Sequence, residues 1–190
     1  MVYYAADAPE VGWARSRLDP AWGPVTGVEA FFADPYRSMD QGRRSSVYVS
    51  SWADSGINAL SVLNWFLTPT RVQRLTPAGP GGLTYTAQVE YESAGRPGTG
   101  EITTSWDTDQ ASKRTALTFA SGARLLLDHQ RVTGTVHDSR RHADTFAYTG
   151  TTPRLAAHYL AAFQALLLGG EHFHTTDHTR LHHLLYQHTQ

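Results

Sequence analysis

The sequence predicts an α+β fold, in which helices pack on one face of a large, open, mainly antiparallel sheet. Between Arg71 and Tyr148, apolar and polar residues alternate in short segments separated by glycine-rich breaks, which is typical of successive antiparallel strands. On both sides of this region, leucines and aromatic residues recur every three or four positions, which indicates helices. The length of 190 residues suits one domain covering 1–190.

Four elements are expected before the alternating region. They are a helix at Pro9 to Leu18, a strand at Val25 to Ala33, a short strand at Ser46 to Trp52 and a helix at Asp54 to Leu67. The first helix should face inward with Val11, Ala14 and Leu18 and end at Asp19-Pro20, because the residue before proline avoids the helical region. Thr68-Pro69 ends the last helix in the same way.

Seven strands and two helices should follow. The strands are Arg71 to Thr76, Leu83 to Glu92, Gly100 to Trp106, Arg114 to Phe119, Arg124 to His129, Arg131 to His137 and Thr145 to Thr149. Thr152 is a suitable N-cap and Pro153 a suitable first helical residue. Leu155, Tyr159, Phe163 and then Leu166 or Leu167 form an apolar stripe, and Gly169-Gly170 should end this helix. A second helix should begin near Asp177.

Composition excludes several classes of function. The formal net charge is −1, so no nucleic-acid partner is expected. The chain has no cysteine, which removes disulfides and thiolate chemistry. The N-terminus lacks the pattern of a signal peptide, and no apolar run is long enough to span a bilayer. We therefore expect a cytoplasmic protein without a membrane partner.

Motifs for nucleotide binding are missing. No glycine-rich turn follows a strand, there is no phosphate-binding loop with a lysine, and strands and helices do not alternate as in a βαβ unit. We therefore expect no cofactor to bind to this chain alone.

The segment from Trp52 to Leu63 reads Trp-Ala-Asp-Ser-Gly-Ile-Asn-Ala-Leu-Ser-Val-Leu. It resembles the Asp-x-Gly-x-His segment of the glucose–fructose oxidoreductase and inositol dehydrogenase superfamily. It is most similar to that segment in D-galactose and L-arabinose 1-dehydrogenases, where asparagine replaces the histidine. The order of elements agrees with the C-terminal, substrate-binding and oligomerisation domain of that superfamily, so the resemblance implies a chain without the nucleotide-binding half.

The resemblance implies that Asp54 and Asn58 are the catalytic pair on the substrate side. Residues four apart share one helix face, where a carboxylate and an amide can orient a polyol, and the carboxylate can accept a hydroxyl proton. Trp52, His158 and Tyr159 are candidates for contact with a sugar-like substrate. The catalytic lysine of the superfamily belongs to the absent half, and the single lysine of this chain, Lys113, matches no such motif.

Simpler interpretations stay open for each candidate. Asp54 can be an ordinary helix N-cap and Asn58 a capping or turn residue, while Trp52 and Tyr159 can pack in the core. The C-terminal region is rich in histidine: His172, His174, His178, His182, His183 and His188. Histidines four apart on a helix can bind zinc or nickel, but a solvated helix face accounts for them as well, so no metal site is predicted.

Three hypotheses of function follow. In the first, the chain binds a sugar or polyol and forms a dimer, while a separate nucleotide-binding protein supplies NAD(P) and the lysine. In the second, it is a cofactor-independent isomerase, dehydratase or cyclase that reuses Asp54 as base, with Asn58 and Tyr159 orienting the ligand. In the third, it is a non-catalytic binding module. Whether the isolated chain is an enzyme is left open.

A homodimer joined through a face of the sheet is also expected. Tyr85, Ala87 and Val89 share one side of their strand, Ile102 and Trp106 also share one side of theirs, and Leu125 to Leu127 is apolar on both sides, so a second apolar face is expected. That face needs a cover, because monomers rarely expose large apolar patches. A two-fold pairing provides such a cover.

Overall fold

The computed structural model describes residues 5–36, 50–78, 80–138, 142–168 and 175–187. The strands are β1 (Val25–Ala33), β2 (Thr68–Pro77), β3 (Thr84–Ser93), β4 (Arg96–Ser105), β5 (Ser112–Phe119), β6 (Arg124–Asp128), β7 (Thr133–His137) and β8 (Ala143–Ala147). The helices are α1 (Pro9–Ser16), a π-helical turn (Trp52–Gly56) that continues into α2 (Ile57–Leu63), α3 (Arg154–Leu167) and α4 (Thr175–Tyr186). The α+β class predicted from the sequence is confirmed.

The eight strands form one open sheet in the order β2-β3-β4-β1-β5-β6-β7-β8. The meander expected along the chain is therefore interrupted by β1, which lies between β4 and β5. Strand β1 runs parallel to β4 and antiparallel to β5, and the remaining neighbours among the described strands are antiparallel. Because β1 and β4 are parallel neighbours, their carboxyl ends lie side by side.

One face of the sheet carries the apolar core. In the β3–β4 pairing, Ala87 lies opposite Ile102 and Tyr85 opposite Thr104, so the two apolar sets considered in the sequence share this inner face. Residues of β1, β5 and β6 extend it with buried side chains at Phe32, Leu117, Leu125 and Leu127, among others.

The outer face of the sheet is mainly polar. Threonine, glutamate, glutamine and arginine side chains alternate there with the buried residues of the same strands. Phe31 and Leu126 are its exposed large apolar residues, at 39% and 38%. The expected second apolar face is thus reduced to a small patch, and a dimer through the sheet stays a prediction without that support.

Helices cover the inner face in two groups. Helix α1 packs against β6, β7 and β8, and helix α3 packs against α1. The π-helical turn packs against β4 and β1, while α4 packs against this turn, α2 and β2. The core cluster joins both groups to the sheet through Val11, Leu60, Leu181 and many other apolar residues.

Several boundaries differ from those expected. Helix α1 ends at Ser16 and Leu18 is 38% exposed, so Leu18 does not face the core. Trp52 lies in the π-helical turn rather than at the end of a strand, while residues 46–49 of that expected strand lie outside the described residues. Pro153, without a side-chain cap, occupies the N-cap position expected for Thr152.

Helix α3 turns its apolar stripe away from the domain. Ala157, His158 and Ala162 are buried, whereas Leu155 and Phe163 are about half exposed. The stripe was expected from the sequence, but the structure leaves it in solvent. None of the described helices is long and apolar enough to cross a membrane.

Candidate functional site

The predicted pair lies at the carboxyl ends of β4 and β1, with Asp54 in the π-helical turn and Asn58 in the first turn of α2. Ser50 caps this turn, because its Oγ accepts a hydrogen bond from the Ala53 backbone N–H at 3.1 Å. Ser51 donates from its Oγ to the Thr104 carbonyl at 3.2 Å, which fastens the turn to β4. Asp54 follows inside the turn, so it is not the N-cap that the simpler interpretation assumed.

The turn is π-helical rather than α-helical over Trp52–Gly56, a geometry that is rare and often marks functional positions. Asn58 donates from its side-chain amide to the backbone carbonyl of Asp54 at 3.3 Å. Trp106, which follows β4 directly, donates from its indole N–H to Oδ2 of Asp54 at 3.2 Å. Asp54 and Asn58 are both partly exposed, so their polar atoms lie together at the protein surface.

A buried ion pair lies beside this turn. Lys113 Nζ is 2.9 Å from Oδ2 of Asp34, and both side chains are about nine-tenths buried. Ser55, the neighbour of Asp54, also contacts Asp34 Oδ2 through its Oγ, at 3.5 Å. No motif around Lys113 indicates this position. Lys113 lies beside Asp34 because β5 is antiparallel to β1 and begins where β1 ends.

This arrangement can bind and orient hydroxyl groups. The carboxylate of Asp54 is held by one indole N–H, and the amide of Asn58 is held by the backbone of the same turn, so neither side chain must be ordered anew when a ligand binds. A carboxylate that is partly exposed can accept hydrogen bonds from a polyol and can take up a proton from one of its hydroxyls.

None of the three candidates for substrate contact is exposed beside Asp54. Trp52 is fully buried and donates from its indole N–H to the Leu185 carbonyl on α4 at 2.9 Å, so it supports the turn from the core. His158 is buried on the inward face of α3, and Tyr159 is 41% exposed on the outward face. Helix α3 packs on α1 above β6 to β8, over a different part of the sheet from Asp54.

A second polar cluster, which the sequence reasoning missed, lies beneath α3. Glu10 of α1 is fully buried. Its Oε1 is 2.7 Å from Nδ1 of His129, and its Oε2 is 3.5 Å from Nε2 of His158. Glu10 is the one acidic residue of α1, and no local pattern marks it as the partner of histidines more than 100 residues away.

The cluster has the geometry of a carboxylate–imidazole–hydroxyl relay, because Nε2 of His129 is 3.0 Å from Oγ1 of Thr115. All three residues are at most 1% exposed, and the ring of Phe32 lies 5.3 Å from the imidazole. A substrate therefore cannot reach the hydroxyl, and the cluster acts as a buried tie between α1, α3 and the sheet.

The electrostatics of the cluster favour an ionised Glu10. Burial by itself raises the pKa of this carboxyl, but the hydrogen bonds and charges of His129 and His158 outweigh burial and lower the pKa from 4.5 to about 2. Glu10 is thus a carboxylate throughout the neutral range.

Two open depressions lie on the outer face of the sheet, away from Asp54. The larger, about 490 Å³, is an open depression lined by Phe31, Leu126, Glu29, Arg114 and their neighbours. We place the candidate site at Asp54 in spite of it, because the depression is the curved surface of a twisted sheet and holds no converging set of buried polar groups.

Among the described residues, no three histidine or carboxylate side chains are placed to hold a metal ion. His172, His174 and His188 lie outside the described residues, as does the side chain of His178. The ring of His182 stacks on that of Tyr186.

No protein-family model and no curated protein matches this chain. Solved structures do match it. A UDP-N-acetylglucosamine 3-dehydrogenase from Acidithiobacillus ferrooxidans aligns with a TM-score of 0.72 and 15% identity, over 97% of this chain and 58% of that one. An inositol dehydrogenase homolog from Azotobacter vinelandii, in complex with NADH and myo-inositol, aligns with a TM-score of 0.63 and 14% identity, over 96% and 55%.

A levoglucosan dehydrogenase in complex with NADH and levoglucosan also matches, with a TM-score of 0.59, 12% identity, and coverage of 96% and 59%. The chain therefore spans a little over half the length of the dehydrogenases that it matches. At these identities the comparison concerns the fold, and it confirms the fold that the resemblance of the Asp54 segment implied.

The turn depends on a residue without a side chain at position 56. A Cβ on Gly56 would lie 2.7 Å from Cε3 of the buried Trp52 ring. Gly56→Ala should therefore destabilise the chain by roughly 1–3 kcal/mol in urea unfolding, because overpacking forces a rigid ring to move. Gly12→Ala in α1, where nothing lies within 4 Å of the new Cβ, should stabilise it by about 0.5–1 kcal/mol. Equal stability of the two variants would contradict the packing described.

Glu10 supplies a second test. Removing it leaves two buried imidazoles without their carboxylate, so Glu10→Ala should cost roughly 3–5 kcal/mol at pH 7. Because the folded pKa is depressed, the stabilisation by Glu10 is present above about pH 4.5 and is lost as the pH falls towards 2. Unfolding curves between pH 2 and 7 should converge for wild type and variant in acid. Glu29→Ala, on the exposed outer face, is the control and should stay within about 0.5 kcal/mol.

Proposed function

We propose that this chain is the substrate-binding and dimerisation domain of a sugar 1-dehydrogenase-like oxidoreductase of the glucose–fructose oxidoreductase and inositol dehydrogenase superfamily. Its ligand is a sugar or polyol. Asp54 and Asn58 bind the reacting hydroxyl region, and Asp54 accepts the proton of that hydroxyl. A separate nucleotide-binding chain supplies the NAD(P) cofactor and the lysine.

The observation that carries this proposal is the Asp54–Asn58 pair, with Asp54 in the π-helical turn and Asn58 in the first turn of α2, at the carboxyl ends of two parallel strands. Ligand sites of open sheets recur at such ends. The fold is shared with a UDP-N-acetylglucosamine 3-dehydrogenase and with dehydrogenases in complex with myo-inositol and levoglucosan, which supports a polyhydroxylated ligand. The indole N–H of Trp106 on Asp54 Oδ2 adds a fixed orientation of the carboxylate.

The residues described here do not fit a dinucleotide. Within them, no strand passes through a glycine-rich turn into a helix, the arrangement that binds a pyrophosphate. The cofactor is therefore held by the other chain.

A cofactor-independent enzyme is the second candidate, and the Lys113–Asp34 pair favours it. An ammonium and a carboxylate beside the Asp54 turn offer an acid and a base without a cofactor, as an isomerase, dehydratase or cyclase needs. Tyr159, expected to orient the ligand in this hypothesis, lies over another part of the sheet. We therefore rank it below the dehydrogenase domain.

Ligand titration tests the proposed site. Calorimetry of the purified chain with myo-inositol, levoglucosan and UDP-N-acetylglucosamine should detect binding of at least one of them. Asp54→Ala should weaken that binding by about tenfold or more, since a hydrogen bond to a charged group contributes roughly 1.5–3 kcal/mol. Asn58→Ala should weaken it less, by about two- to tenfold, since a hydrogen bond between neutral groups contributes roughly 0.5–1.5 kcal/mol.

The control is Asp109→Ala, which removes an exposed carboxylate from the turn after β4 and should leave the affinity unchanged. The proposal is wrong if none of the three ligands binds, or if a ligand binds equally well to the Asp54→Ala variant. Conversion of a bound sugar to an isomer by the chain alone would instead support the cofactor-independent candidate.

NAD and NADP should not bind to the isolated chain. The physical reason is the missing phosphate-binding turn, without which the pyrophosphate has no cluster of backbone N–H groups to contact. Calorimetric titration with each dinucleotide should give no heat of specific binding up to millimolar concentration. A low-micromolar dissociation constant would contradict the division of the proposed enzyme into two chains.

A further inference from the structure

We propose that Asp34 and Lys113 are positioning residues for Asp54, and that they act through Ser55, its neighbour in the π-helical turn. The inference rests on the proposed function in one respect, because it takes Asp54 as the group that binds the reacting hydroxyl. Asp34 and Lys113 are themselves about nine-tenths buried, so they do not contact the ligand. Their role is to hold the turn in the geometry that presents the Asp54 carboxylate.

Two polar groups converge on a single oxygen of Asp34. Its Oδ2 lies 2.9 Å from Nζ of Lys113 and 3.5 Å from Oγ of Ser55, which donates to it. Ser55 is only 2% exposed, so solvent has little access to this contact. A continuous series of polar contacts therefore runs from β5, through the residue that follows β1, to the residue next to Asp54.

The Asp34 end of this series is firmly held. The Asp34 backbone N–H donates to the Ser105 carbonyl at 2.9 Å, and the Asp34 carbonyl accepts from the Tyr36 N–H at 2.8 Å. Lys113 is the second residue of β5 and lies opposite Phe32 of β1. Because the carboxylate and the ammonium belong to adjacent strands in a fixed register, they form a rigid attachment point for a turn that lies outside the sheet.

The direction of Asp54 depends on this attachment. Successive residues of a helix point in different directions, about 100° apart at 3.6 residues per turn, so a turn that holds Ser55 inward leaves Asp54 towards the surface. Ser55 is accordingly buried and Asp54 partly exposed. Over Trp52–Gly56 the turn has the rare π-helical geometry, so contacts from outside the turn help to hold it.

Trp106 contacts Asp54 from the side of β4. Its indole N–H donates to Oδ2 of Asp54 at 3.2 Å, and its ring centre lies 5.8 Å from that of Tyr36, two residues after Asp34. The segment that carries Asp34 therefore contacts both Ser55 and Trp106. Since the indole bond forms only when the turn presents the carboxylate to it, the Trp106 N–H reports on the position of Asp54.

A gain in stability does not explain a buried ion pair at this place. Taking two charges out of water costs about as much as their attraction returns, and apolar residues of similar volume are often as stabilising or more so. Arginines that pair with carboxylates elsewhere in the described ranges stay at the surface: the Arg17 and Arg114 side chains are 48% and 66% exposed. The geometry that the pair imposes on Ser55 explains its burial better.

Nuclear magnetic resonance of the ligand-free chain tests the positioning. The chain has five tryptophans, whose indole N–H groups each give a proton–nitrogen correlation signal, and the signal lost in Trp106→Phe is that of Trp106. Asp54→Ala gives the position of this signal without the carboxylate. Ser55→Ala should move the wild-type signal towards that position, whereas Ser55→Thr, which keeps the hydroxyl, should return it.

A double variant separates positioning from stability. Asp34→Leu combined with Lys113→Met replaces the ion pair by apolar residues, so the midpoint of urea unfolding should be equal to that of the wild type or higher. The Trp106 signal should nevertheless move towards its position in Asp54→Ala. A role of the ion pair in stability alone predicts the opposite, a lower midpoint and an unmoved signal.

The matched control is Ser93→Ala, which removes another buried hydroxyl, one that accepts from the Val25 N–H at 2.9 Å. It should leave the Trp106 signal in place, because Ser93 lies on β3 and has no contact with the turn among the described hydrogen bonds. The proposal is overturned if the signal stays in place in Ser55→Ala and in the double variant, or if Ser93→Ala moves it as far.

Ligand binding is measured separately. For the ligand among myo-inositol, levoglucosan and UDP-N-acetylglucosamine that the wild type binds, Ser55→Ala should weaken binding by about two- to tenfold, because the carboxylate must then be ordered as the ligand binds. Equal affinity of wild type and Ser55→Ala would also overturn the positioning. If none of the three binds, the proposed function fails while the spectra of the ligand-free chain still decide whether Ser55 orients Asp54. If Asp54→Ala weakens binding but the Trp106 signal stays in place in Ser55→Ala, the positioning fails and the proposed function stands.

Discussion

The position of β1 in the middle of the sheet is the constraint on which most of this structure depends. Because β1 is parallel to β4, Asp34 and Ser105 finish their strands side by side, and the Asp34 backbone N–H donates to the Ser105 carbonyl at 2.9 Å. Because β1 is antiparallel to β5, Lys113 begins its strand at the same edge. Three strand ends thus gather polar groups directly below the turn that carries Asp54.

Local pattern alone identified most of the elements. Period-two alternation and turn residues predicted β1 with its observed bounds of Val25 to Ala33, and predicted the seven later strands to within a few residues. It also indicated the helix that carries Asp54 and Asn58, since leucine spacing and a proline stop are properties of the segment itself. What these signals could not supply was the place of β1 in the sheet, which depends on pairing between residues more than 60 positions apart.

The candidate site was predictable only in part, for the same reason. Asp54 and Asn58 are four residues apart on one helix, so their proximity follows from helix geometry. Trp106 and Lys113 lie near the turn because of the order of the strands in the sheet. The residues next to them in the sequence do not indicate this position. The exposed face of α3 could not be predicted from the sequence either. An apolar stripe predicts burial but does not say whether its own domain or another surface covers it. Glu10, which contacts His158 on the inward face of α3, is the one acidic residue of α1.

The hydrogen bond from the Trp52 indole to the Leu185 carbonyl joins the first turn of the Asp54 helix to the last helix of the described chain. The two residues are 133 positions apart, and Arg180 of the same last helix also bonds to the Pro69 carbonyl and to Asn64. On the ribosome, where the chain emerges from its N-terminus at about 5–20 residues per second, the Asp54 turn is therefore synthesised early but acquires its support last. Nascent chains that stop before α4 contain every residue of the candidate site and still lack the hydrogen bond between Trp52 and Leu185 that supports the turn from the core.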